Sequence, residues 1–199
     1  MMHEDDEPPP RRVPRPVTKA WLQRAALYYL ERYAAPAGHL RQVLMRKVDK
    51  RLMLRGEAQD DTIAGPAREL VAEVIAEAVD GGYVDDGAYA SAKVASLRRR
   101  GGSQRAIRAK LMQKGVPVDL IDAALEADGE EAPVGDENGL TRQDARAARE
   151  HEAAFAYARR RRLGPFRLRE RAERRERDIA AMVRAGFALS LARSIIDSA

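Results

Sequence analysis

The residues able to do chemistry are few, and their spacing argues against catalysis. Asp85 and Asp86 are adjacent carboxylates, a type that serves as metal ligand or as acid/base pair. Side chains one position apart on a helix diverge, however, and do not converge on one atom. They follow Gly81-Gly82 and precede an apolar stripe of helical period, which is where N-capping carboxylates belong. His3, His39 and His151 are far apart, and the chain has no cysteine, so thiolate nucleophiles and Cys-based metal sites are excluded. No glycine loop of phosphate-cradling spacing occurs, and no serine sits in a nucleophile elbow. The reading is a non-catalytic protein with no cofactor and no metal.

Charge carries more information. Lys and Arg total 36 against 31 Asp and Glu, a modest excess built from separate blocks. Between Ser91 and Val116 stand Lys93, Arg98, Arg99, Arg100, Arg105, Arg108, Lys110 and Lys114, with no carboxylate among them. Thr141 to Arg177 holds thirteen arginines against six acids and includes the run Arg159, Arg160, Arg161 and Arg162. Lys and Arg on soluble helices are normally interleaved with acids, because i,i+4 pairs contribute a few tenths of a kcal/mol each. A block that forgoes them and accepts mutual repulsion points to an external polyanion. Arginine suits bidentate phosphate pairing. Aromatic residues are scarce, and Tyr89 and Phe155 adjoin apolar stripes and read as core, so backbone contact is expected over base reading.

Helices must position these cations. Aromatic residues make up 5% of the chain and β-branched runs are absent, which removes sandwiches and barrels. Ala90, Val94 and Leu97 form one face of a helix that stops at Gly101-Gly102. Ser103 then N-caps a second helix with Ile107 and Leu111 on its face and Gly115 at its end. Pro117 opens a third, carrying Leu120, Ile121, Ala124 and Leu125. Laying Gly186 on Gly115 places Met182 on Leu111, Phe187 on Val116, Leu191 on Leu120, Ile195 on Ala124 and Ile196 on Leu125. A helix with Ala154, Phe155 and Ala158 precedes that copy and ends at Gly164-Pro165. A weaker copy lies upstream: Leu22, Ala26 and Tyr29; Leu40, Val43, Leu44 and Val48; Val71, Ile75, Ala78 and Val79. Self-similarity at fixed spacing indicates a repeat architecture. The expected fold is all-α, an elongated, curved array of three tandem three-helix units: 18–84 with an insertion at about 46–66, 85–127, and 141–199. An acidic linker, 128–140, joins the last two. Residues 1–17, acidic and rich in proline, are expected to be a disordered leader.

The stretch Ala78-Val79-Asp80-Gly81-Gly82-Tyr83-Val84-Asp85-Asp86, followed by Ala88-Tyr89-Ala90, a basic helix, Gly102, Ile107, Leu111, Lys114-Gly115-Val116 and Ile121, resembles the RecX family, small bacterial regulators of the recombinase RecA. The resemblance extends more loosely over residues 18–199. It departs from the family pattern in the 46–66 insertion, in Gly87 and in the lengthened acidic linker. It implies a partner, the RecA filament on single-stranded DNA, whose groove such proteins occupy, opposing ATP hydrolysis and strand exchange. The residues expected to meet filament and DNA backbone are Lys93, Arg98, Arg99, Arg100, Arg105, Arg108, Lys110, Lys114 and Arg159 to Arg162.

Two other readings use the same residues. One is a free-standing DNA-binding regulator of helix-turn-helix type, and the other a helical adaptor that binds protein through its acidic segments. The longest runs without a charged residue, Tyr33 to Leu40 and Ala185 to Ala192, are too short for a membrane span. The acidic leader has no secretory pattern, so a cytoplasmic monomer is expected.

Overall fold

The computed structural model describes residues 13–130 and 141–198. Most of the expected leader and linker therefore lies outside the described residues; residues 13–17 have no regular structure, and residues 128–130 of the expected linker are helical. Among the described residues the secondary structure is helical throughout, with no strand.

The described residues gather into two compact units, 13–34 with 40–84, and 35–39 with 85–130 and 141–198. The first holds α1 (Lys19–Leu30), α2 (Ala37–Arg55) from Leu40 onward, and α3 (Asp61–Asp80). Thr18 and Asp60 cap α1 and α3, their side-chain oxygens accepting from Trp21 and Thr62 N–H. Leu40, Leu44, Val48 and Leu52, stepping by four along α2, are buried beside Leu22 and Ala26 of α1 and Ala64, Ala67, Val71, Val74, Ile75 and Ala78 of α3. Val79, expected on that face, is instead 45% exposed. The 46–66 insertion consists of the second half of α2, a turn at Gly56 and the start of α3. Because Leu52 and Ala64 are fully buried, the added length enlarges the core.

The second unit holds α4 (Asp86–Arg99), α5 (Gln104–Gln113), α6 (Val118–Glu130), α7 (Arg142–Arg161), a 3-10 turn at Gly164–Phe166, α8 (Arg171–Arg184) and α9 (Leu189–Asp197). It has two separate cores. One is built from Ala90, Val94, Ile107, Leu111, Val116, Ile121, Ala124 and Leu125, the other from Ala153, Ala154, Ala158, Leu163, Ile179, Met182, Phe187, Ala192, Ile195 and Ile196. The paired positions read from the repeat share their environments: Leu111 and Met182, Val116 and Phe187, Ala124 and Ile195, and Leu125 and Ile196 are all buried, while Leu120 and Leu191 are both half-buried.

One hydrogen-bonded turn recurs at the helix ends. An N–H two or three residues past the helix reaches back to a carbonyl five residues earlier: Glu57 to Leu52, Tyr83 to Ala78, Gly102 to Leu97, Val116 to Leu111, Leu163 to Ala158 and Phe187 to Met182. The residue before each donor is left-handed, and it is Gly56, Gly82, Gly101, Gly115, Arg162 or Gly186. Five of the six are glycine, the residue that adopts positive φ without a Cβ penalty.

Candidate nucleic-acid interface

The two aspartates do cap helices, and they divide the work. Asp85 Oδ1 accepts from Ala88 N–H at 2.8 Å and so opens its own helix, α4. Asp86 Oδ1 accepts from Ala37 N–H at 2.7 Å, satisfying a donor at the start of α2. Residues 35–39 are held there by close packing as well: a Cβ on Gly38 would lie 2.4 Å from the Gly115 carbonyl oxygen. Among the described residues no group of three or more His, Asp and Glu is placed to hold a metal ion.

The expected cations fall into two classes. Arg98 is held inside the fold. Its side chain is 11% exposed and donates to Asp128 at 3.2 Å, to Glu150 at 2.5 Å and to the Gly102 carbonyl at 3.2 Å. Glu150 also accepts from Gln104 N–H at 3.0 Å, at the start of α5. Arg98 thus ties α4, α6 and α7 together, its charge met by acids of the fold. Arg108 pairs with Asp122 across α5 and α6. Lys114 Nζ lies 3.2 Å from His39 Nε2. The block from Ser91 to Val116 lacks acids in sequence, yet three of its eight cations have partners supplied by the fold from elsewhere in the chain.

Lys93, Arg99, Arg100, Arg105, Lys110 and Arg159 to Arg162 remain exposed, with no ion pair to a described acid. Lys93 Nζ stands 5.4 Å from the Tyr89 ring centroid. Glycine packing sets the backbone beside Arg100 against α7 and Arg105 against the turn after α8. The backbone at Gly101, next to Arg100, abuts Tyr157, where a Cβ would meet the Tyr157 nitrogen at 2.5 Å. A Cβ on Gly186 would lie 3.3 Å from the Arg105 Cβ. Of the two aromatics read as core, Tyr89 packs on the α4–α6 core, whereas Phe155 is 41% exposed and meets Phe166 edge to face at 5.0 Å.

Other arginines of the second block are structural. Asp178, 2% exposed, accepts from Arg167 Nε at 3.0 Å and Nη2 at 2.6 Å, and from Gly164 N–H at 2.9 Å. Burial pushes the Asp178 carboxyl up, but the Arg167 guanidinium and the Gly164 N–H outweigh it and hold the pKa below its ordinary value. Arg175 pairs with Asp197, Arg174 with Glu170 and Arg149 with Glu152.

A third basic block lies outside the expected set, and the fold pairs part of it: Lys19 with Glu73 and Glu77, and Arg55 with Glu57. From Val13 to Arg55 ten Lys and Arg stand against Glu31 and Asp49. Here the stacking aromatics are present: the Arg51 guanidinium lies 3.7 Å from the Trp21 ring centroid, and that of Arg32 lies 3.7 Å from Tyr28. The signal that could have found it is the same scarcity of acids that marks residues 91–116.

Comparison with known proteins supplies the lineage. The family description "RecX, second three-helix domain" matches residues 85–125. A protein named Regulatory protein RecX from Myxococcus xanthus is 39% identical over 187 residues, covering 93% of this chain and 89% of that protein. The chain belongs to the RecX family. A Regulatory protein RecX from Agrobacterium fabrum is 29% identical over 89% of this chain and 82% of its own length. One from Thermus thermophilus is 36% identical over 54% of this chain and 66% of its own length. No solved structure gives a significant match. The stretch matched as the second RecX domain runs from the Asp85 cap to Leu125 in the α4–α6 core and contains all eight cations of the first basic block. Relatives of this chain are thus named as regulators, and among the described residues no helix is long and apolar enough to cross a membrane.

Proposed function

We propose that this chain is a non-catalytic regulator of RecA, a cytoplasmic monomer of three helical units (18–84, 85–127 and 141–199) that lies in the groove of the RecA filament on single-stranded DNA and opposes ATP hydrolysis and strand exchange. The supporting observation is the sorting of the cations. Arg98, Arg108 and Arg167 are committed to acids within the fold, while Arg99, Arg105, Lys110 and Arg159 to Arg162 are exposed without such partners. Exposed cations without neighbouring acids fit a surface whose charge is offset by phosphate or acidic protein from outside. Cations spread over several helices allow weak interactions to add up along a filament.

The experiment is RecA ATPase on single-stranded DNA with and without the full chain. Inhibition at substoichiometric amounts is the expected result, since simple competition for DNA does not act at that ratio. Replacing Arg99, Arg105 and Lys110 by Ala together is expected to weaken filament binding and lower its salt slope by about 0.7 for each single-strand phosphate no longer neutralised. An unchanged slope would remove these residues from the mechanism. Sequence-selective binding to duplex DNA without RecA would instead favour a free-standing transcriptional role.

A further inference from the structure

We infer that a cleft at the C-terminal ends of α7 and α8 is a nucleotide site for single-stranded nucleic acid, with Arg161 and Arg184 on phosphate and Tyr157 under a base. It rests on the reading of the basic faces as phosphate-binding and goes beyond it by naming a site, a stacking residue and a cation, Arg184, outside the expected set.

The cleft has a volume of about 440 Å³ and is lined by Tyr157, Arg161, Leu163, Ala181, Arg184 and Ala185, with no carboxylate among them. Arg161 and Arg184 are exposed, and neither side chain makes a hydrogen bond or ion pair with a described residue. Elsewhere in the same helices Arg149, Arg174 and Arg175 have acid partners. Tyr157 is half-buried and anchored on the core through Phe187, ring centroids 5.6 Å apart. The guanidinium carbons of Arg160 and Arg161 stand 6.0 and 5.9 Å from its centroid. A core-anchored ring flanked by cations is the arrangement on which unpaired bases stack while the backbone is held electrostatically. A duplex does not offer this ligand, because its ring faces are covered by neighbouring pairs.

Backbone strain gives an independent sign. Arg162, between Arg161 and Leu163, holds φ 55° at the left-handed position that is glycine in the other five turns of this kind. Strain kept where glycine would relieve it accompanies functional sites.

The competing explanation is that Arg161 and Arg184 only offset the negative ends of their helix dipoles. The test separates the two. The full chain, without RecA, is titrated with a fluorescein-labelled oligothymidylate and with an abasic strand of the same length, at several salt concentrations, with urea unfolding as the check on the fold. The double variant Arg161→Ala/Arg184→Ala is expected to bind oligothymidylate about tenfold more weakly, with a salt slope lower by about 0.7 for each phosphate no longer neutralised, about 1.4 for two. Tyr157→Leu is expected to weaken oligothymidylate binding about tenfold while leaving binding of the abasic strand unchanged. The cleft is overturned if a folded double variant binds as the unmodified chain does, if the unmodified chain does not bind the strand, or if Tyr157→Leu weakens both strands alike. Should those results come with loss of RecA inhibition in the Arg99, Arg105 and Lys110 variant, the cleft fails and the filament reading stands.

Discussion

Arg162 shows how one residue can be set against its own backbone. An L residue at φ 55° brings its Cβ against the following carbonyl. Arg162→Gly is therefore expected to raise stability by about 1 kcal/mol, read as a higher urea midpoint; no gain would mean that the side chain compensates the strain. Asp178 is a contrasting case, a buried carboxylate satisfied by Arg167 and Gly164. Its folded pKa lies below the unfolded value of about 3.9, so the stabilisation is complete above that value and is lost as pH falls through the depressed one. Asp178→Asn is expected to cost about 3 kcal/mol near neutral pH, with the gap to the unmodified chain closing as the medium is acidified below about pH 4. A gap independent of pH would show that packing, not charge, is what Asp178 supplies.

At the scale of elements, Arg98 and Arg105 test the sorting of cations. Arg98→Ala leaves Asp128 and Glu150 without their shared partner and is expected to destabilise by about 3 kcal/mol. Arg105→Ala, at an exposed position, should fall within about 0.5 kcal/mol of the unmodified chain. Equal effects in chemical denaturation would contradict the division. Gly38 matters for a different reason. It packs backbone to backbone on Gly115, so Gly38→Ala forces the start of α2 off the α5–α6 turn, expected to cost about 1–3 kcal/mol as overpacking does. A thermal midpoint unchanged in Gly38→Ala would show that the joint yields freely. The Asp86 bond to Ala37 N–H belongs to the same joint, and Asp86→Ala is expected to lose about 1 kcal/mol.

For the whole molecule, two compact units with separate cores imply unfolding in separate steps. Trp21, the sole tryptophan, lies in the first unit beneath Arg51 and reports on it alone. The Arg98→Ala change should then lower the transition seen by helical circular dichroism while leaving the Trp21 fluorescence transition in place. A matched shift in both signals would mean one cooperative structure.

The sequence by itself determined the helices, their ends and the apolar positions, because these depend on interactions within one or two turns: a capping oxygen three residues ahead, a glycine that accepts positive φ, a stripe of period 3.6. Hence Ser103 and Asp85 were legible as caps, and Gly115 and Gly186 as equivalent turns. Which cations are open was decided by tertiary structure alone. Arg98 finds acids 30 and 52 residues away, and no local charge count registers partners at that separation. The cleft around Tyr157 likewise exists only once α7 and α8 pack, since it is formed by the ends of two helices rather than by a run of sequence.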